Sequence, residues 1–79
     1  MLLNYKPEAV KQLEKLSISE KKKVVKKLEL LSKNPYSGKV LKGELEGLRS
    51  LRAWPYRIIY EIKNKSLIIL SVAHRQSAY

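Results

Sequence analysis

The sequence contains no cysteine and no aspartate, and only one histidine, one tryptophan and seven acidic side chains, all glutamate. Without cysteine there is neither a disulfide nor a thiolate metal site, and the redox compartment is left undetermined. A single histidine excludes sites built from two or three imidazoles. Closely spaced acids are confined to Glu44 and Glu46, too few for the carboxylate cluster that two-metal phosphodiester cleavage requires. No run of 18 uncharged apolar residues is present, and no apolar signal core precedes a cleavage site, so neither a membrane span nor a secretion signal is expected. A cytoplasmic location is the resulting expectation. There are no repeats, low-complexity tracts or interdomain linkers, and residues 1–79 are expected to form one domain. A core of this size is marginal alone. With disulfides excluded, a bound partner is the expected source of added stability.

What is abundant is positive charge. Seventeen Lys and Arg face the seven glutamates, a formal net charge of +10. Such an excess favours polyanionic partners: nucleic acid, an anionic membrane face or an acidic protein. The thirteen lysines are spread along the chain, whereas all four arginines (Arg49, Arg52, Arg57 and Arg75) fall in the C-terminal half. Arginine presents a planar fork of donors suited to phosphate, and lysine a hydrated point charge, so the two halves are built for different tasks.

Residues 2–5 read as a short first strand. Pro7 fits a helix N1 position, with Glu8 in the first turn, and Ala9, Val10, Leu13 and Leu16 form an apolar stripe. Ser17 and Glu20 have capping-box spacing, with Ser19 an alternative N-cap, and Val24, Val25, Leu28 and Leu31 repeat the stripe to about Lys33. Lysines 21, 22, 23, 26 and 27 occupy the remaining faces of this second helix. Asn34-Pro35 ends it. Residues 36–46 read as a loop, after which the period changes to two over residues 48–53, 56–62 and 66–73. The order is β-αα-βββ, an α+β fold in which a helical hairpin covers one face of an antiparallel sheet.

If Trp54 and Pro55 alone form the first hairpin turn, Ala53 faces Tyr56, Arg52 faces Arg57, Leu51 faces Ile58 and Ser50 faces Ile59. Alternation then puts Ser50, Arg52, Arg57, Ile59 and Glu61 on one sheet face. Leu51, Ala53, Tyr56, Ile58, Tyr60 and Ile62 take the other, as a core face. Two arginines directly across a strand pair repel, an arrangement that a bound anion offsets most simply. Glu61 and solvent are the alternative relief.

The last strand runs into His74, Arg75 and Tyr79, an imidazole, a guanidinium and a phenol within six residues. Cleavage of RNA by such a chain would use the 2′-hydroxyl as nucleophile. It needs a base for the 2′-proton, cations for the phosphorane and an acid for the leaving 5′-oxygen. The arginines meet the second requirement, and Tyr79 or His74 are the candidates for proton transfer.

Leu41-Lys42-Gly43, Leu48-Arg49-Ser50-Leu51-Arg52, Tyr56-Arg57-Ile58-Ile59-Tyr60 and the terminal His74-Arg75 with Tyr79 together resemble the RelE/ParE toxin superfamily, in the same element order over nearly the whole chain. The resemblance implies the small α+β fold of these toxins. It also implies, from the RelE branch, a type II toxin that cleaves mRNA in the ribosomal A site as a cofactor-free endoribonuclease. Carried over by position, Arg57 and Arg75 would grip the scissile phosphate and Tyr79 would stack on a base or assist proton transfer. Lys42 and Arg52 match basic positions of the family. With Arg49 and His74 they complete the expected phosphate-binding set. Leu48 and Ser50 stand where some RelE enzymes carry paired lysines, so the general base is unassigned. The partners implied are an acidic, RelB-like antitoxin, the ribosome and mRNA, with no membrane and no small-molecule cofactor. Two other readings share the charge and the fold: a ParE-type inhibitor of DNA gyrase that cuts no RNA, and a non-catalytic RNA-binding module.

Overall fold

A computed structural model of the protein describes residues 2–74. Strand β1 (Leu2–Tyr5) leads into helices α1 (Pro7–Glu14) and α2 (Ile18–Lys33). After two short 3-10 turns and a two-residue strand β2 (Lys39–Val40), the chain forms strands β3 (Arg49–Ala53), β4 (Tyr56–Lys63) and β5 (Ser66–His74). The sheet order is β1-β5-β4-β3-β2. The C-terminal strands make the expected antiparallel meander, but β1 pairs parallel to β5, so the sheet is mixed. A parallel partner needs a connection that crosses over the sheet; the whole α1–β4 segment supplies it.

Local chemistry accounts for the boundaries. Pro7 occupies the first turn of α1, where its missing N–H costs nothing. Ser17 rather than Ser19 caps α2: its hydroxyl accepts from Glu20 N, and the Glu20 carboxylate accepts from Ser17 N, a complete capping box. The β4–β5 turn uses Asn64 (φ 50°) and Lys65 (φ 61°), both left-handed, as a type I′ hairpin demands.

The core lies between the helices and one sheet face. Ala9 of α1 and Val24, Leu28 and Leu31 of α2 pack on Ala53, Ile58, Tyr60, Leu67, Ile69 and Val72. Leu51, Tyr56 and Ile62 border this cluster, so the core face of β3 and β4 is the one the two-residue period marks. Val10 and Val25, in the same sequence stripes, are instead about two-fifths exposed. Strand β5 keeps Leu67, Ile69 and Val72 on one face because its register against β4 shifts at Tyr60, which pairs with Ile69 while Ile59 pairs with Ser71. That leaves Leu70 as the extra residue of a bulge and reverses side-chain parity beyond it. Gln12 of α1 seals the adjacent strand edge, its Oε1 accepting from Val72 N at 2.6 Å.

Tyr60 fastens the loop after α2. Its buried hydroxyl donates to the Pro35 carbonyl at 2.8 Å and accepts from Gly38 N at 3.0 Å. Gly38 sits so close that a Cβ there would strike Tyr60 Oη and lie 2.8 Å from its Cε1 and 2.9 Å from the Ser50 carbonyl oxygen. Glycine at this position lets β2 reach the sheet edge.

Candidate anion-binding face

Residues Trp54 and Pro55 form the β3–β4 turn alone, and the register that follows is the one required to oppose the arginines: Arg52 pairs with Arg57, Ala53 with Tyr56 and Ser50 with Ile59. Both guanidiniums emerge on the sheet face away from the helices. Among the described residues neither has a hydrogen-bond or ion-pair partner. Glu61 shares this face but is four residues from Arg57 along β4, about 13 Å in an extended strand, too far to neutralise the pair.

Two clefts have both arginines in their lining. The larger, about 460 Å³, is lined by Ser37, Lys39, Leu41, Ser50, Leu51, Arg52 and Arg57. The smaller, about 180 Å³, is lined by Arg52, Trp54, Tyr56 and Arg57. Among the described residues, no carboxylate lines either one. Lys39 is a cation that sequence reasoning misses, because it lies in what reads as a loop. Its pairing with Ser50 gives it the side-chain parity of Ser50 and Arg52. A strand of two residues carries no period, so the sequence holds no signal for this placement.

The other expected site residues separate. Arg49 has the parity of Leu51 and Ala53 and lies on the helix side. There its Nη1 donates to the Gly38 carbonyl at 3.2 Å, and its guanidinium stands 5.1 Å from the centre of the Tyr36 ring. Arg49 therefore does not join Arg52 and Arg57; strand alternation turns it to the opposite surface. His74 pairs with Tyr56 in the β4–β5 ladder, their rings meeting edge to face at 5.5 Å, also on the helix side. Lys42 is exposed one residue beyond Leu41 but does not line the clefts. Arg75 and Tyr79 lie outside the described residues. Also among the described residues, no three His or Glu side chains converge closely enough to hold a metal ion.

Tyr56 connects this face to α2. Its hydroxyl donates to Glu20 Oε2 at 2.8 Å. The bond to Tyr56 and those to Ser17 hold the Glu20 carboxyl below the usual glutamate range, and the Tyr56 phenol is pushed up by the same bond. Burial likewise raises the Tyr60 phenol, with Gly38 N and the Arg49 charge acting in the other direction.

The family profile described as "ParE toxin of type II toxin-antitoxin system, parDE" matches residues 3–79. The chain belongs to this toxin family. It is similar to a chain of the RelBE2 toxin–antitoxin complex of Mycobacterium tuberculosis, at 33% identity and a TM-score of 0.84, over 94% of this chain and 96% of that one. The toxin fold is equally close to the YoeB/ParE toxin of Agrobacterium tumefaciens (TM-score 0.83, 18% identity, 94% and 98% covered). It also matches a chain of the intact Escherichia coli RelBE toxin–antitoxin complex (TM-score 0.77, 21% identity, 92% and 94% covered). A comparison with curated proteins finds no match. The protein is thus a toxin of a type II toxin–antitoxin system. Among its described residues, no helix is long and apolar enough to cross a membrane.

Proposed function

We propose that this toxin is a ribosome-dependent endoribonuclease that cleaves mRNA in the A site without a metal ion. The observation that carries the reading is the Arg52–Arg57 pair, without a partner among the described residues, set directly across two strands and joined by Lys39 in a cleft that no described carboxylate lines. Three cations converging on one cleft suit the extra negative charge of a phosphorane, where fixed charges stabilise the transition state more than the ground state. The reaction has the 2′-oxygen bond to phosphorus as the P–O5′ bond breaks, leaving a 2′,3′-cyclic phosphate and a 5′-hydroxyl. One proton leaves the 2′-hydroxyl and one reaches the 5′-oxygen. Arg57 and Arg75 hold the phosphate and Tyr79 moves a proton or stacks a base. His74, turned to the helix side against Tyr56, is assigned no part in the chemistry.

Primer extension on a short mRNA, naked and ribosome-bound, tests this with wild type and Arg57→Ala. Cuts in the A-site codon that require both the ribosome and Arg57 are the expected result. No cutting in either condition sinks the nuclease reading. Membership of the ParE family favours a second one, inhibition of DNA gyrase; a supercoiling assay that Arg57→Ala leaves largely unaffected would establish it.

An acidic, RelB-like antitoxin is the proposed partner of this +10 chain. Binding only the folded toxin, it raises the melting temperature with its concentration. A melting temperature that does not move when antitoxin is added counts against such a partner.

A further inference from the structure

Trp54 stands at the tip of the β3–β4 hairpin, 57% exposed, and borders two clefts at once. On one side is the small cleft with Arg52, Tyr56 and Arg57. On the other is an open groove of about 440 Å³ lined by Lys23, Lys26, Lys27, Leu30, Ala53 and Trp54. The indole is therefore the divide between two cationic surfaces, one of arginines on the sheet and one of lysines on α2. Among the described residues, no acid lines either cleft. A large aromatic exposed between cations has the makings of a single-stranded nucleic-acid site: a π-face for a base, flanked by charges for the phosphates before and after it.

We propose that Trp54 is a base-stacking platform, and that a single-stranded RNA bound at Arg52 and Arg57 passes over it onto Lys23, Lys26 and Lys27. This rests on the RNA substrate proposed above and adds the path and direction the strand takes away from the arginine pair. Stacking is indifferent to base identity, because every base offers a π-face, so the platform contributes affinity and register rather than sequence choice. Register matters to the chemistry: an anchored base next to the gripped phosphate limits how far the strand can slide.

Trp54 is the sole tryptophan, so its fluorescence reports this position directly. The toxin is titrated at low salt with a mixed-sequence hexaribonucleotide and with its abasic counterpart. Labelled-RNA anisotropy follows total binding in parallel. The expected result is quenching by the hexaribonucleotide but not by the abasic strand. Trp54→Ala should weaken binding between about 5-fold and about 150-fold, with partial recovery in Trp54→Phe. Replacing Lys23, Lys26 and Lys27 by Gln should flatten the log–log salt dependence by about 0.7 for each phosphate that is no longer neutralised. RNA that binds, is released by Arg57→Ala, and yet leaves Trp54 emission and the Trp54→Ala affinity unchanged overturns the platform while leaving the nuclease reading standing. An unchanged salt slope in the lysine variant overturns the path over α2. Absence of any RNA binding by the wild type overturns the platform, while the nuclease reading stands or falls on cutting of ribosome-bound mRNA.

Discussion

Tyr56 Oη lies 2.8 Å from Glu20 Oε2, a bond that ties the N-terminus of α2 to the hairpin carrying Arg52 and Arg57 across 36 residues of sequence. The same carboxylate closes the capping box with Ser17, so one side chain fixes both the start of the helix and its attachment to the sheet. Its consequence is a pH dependence with two edges. Glu20 is depressed on folding, so its contribution is present above the unfolded pKa and is lost as pH falls through the lower folded value. Tyr56 is raised, so its contribution is present below the unfolded pKa and is lost as pH rises through the higher folded value. Thermal melts of wild type and Tyr56→Phe should differ most at neutral pH and converge at both acid and strongly alkaline pH. A difference independent of pH would show that the bond does not contribute in solution.

Removing the Tyr60 hydroxyl leaves Gly38 N and the Pro35 carbonyl without their buried partner. Tyr60→Phe should cost about 1–3 kcal/mol in chemical denaturation, the range for orphaning buried polar groups.

Gly38→Ala should be destabilising by a different route. Its Cβ meets the Tyr60 ring and the Ser50 carbonyl, and overpacking of this kind costs about 1–3 kcal/mol. Because the loop leads directly into β2, hydrogen exchange at Lys39 and Val40 should accelerate more than in the centre of β4.

Lys65 holds a left-handed conformation (φ 61°) in the I′ turn, where glycine is free of the Cβ clash. Lys65→Gly is expected to stabilise by about 0.5–1 kcal/mol, the steric relief exceeding the entropy glycine loses on folding. A lower denaturation midpoint in that variant would contradict the turn assignment.

The arginine pair makes a prediction about stability as well as binding. Arg52→Thr removes a like-charge cross-strand pair and should leave the free protein as stable as wild type or up to about 1 kcal/mol more so. Inorganic phosphate should raise the melting temperature of wild type more than that of the variant. Equal shifts would mean that the anion binds elsewhere.

Much of the fold is legible in the sequence because its signals are local. Pro7, the Ser17–Glu20 box and Asn34-Pro35 mark the helices, and the change of period after residue 46 marks the meander. The core face of β3 and β4 follows from alternation alone. Strand β2 is not legible because two residues carry no period, and its pairing with β3 depends on the close approach of Gly38 to Tyr60. The parallel pairing of β1 is hidden too, since a four-residue strand does not encode which neighbour or direction it takes. Val10 and Val25 show the limit of a helical stripe, whose width in sequence exceeds the width the sheet can cover.

The candidate site divides in the same way. The opposed Arg52 and Arg57 follow from a two-residue turn and a period of two, so sequence sufficed once the turn length was right. Lys39 and the flank of Trp54 required three dimensions, because β2 and α2 bring cations beside the hairpin from 13 residues before Arg52 and from the helical half of the chain. Sequence put Arg49 and His74 in the phosphate-binding set, Arg49 as a neighbour of opposite parity in the same strand and His74 as the neighbour of Arg75. Strand alternation put Arg49 on the other surface, and the bulge at Leu70, which shifts the parity of β5, put His74 on the helix side with Tyr56. The sequence by itself determined the two helices and the four longer strands, the excess of positive charge and the facing of two arginines, all properties of neighbours within one or two turns or strands. The tertiary structure decided which of the remaining cations share a surface with them, because that depends on packing and on sheet register, which no local pattern contains.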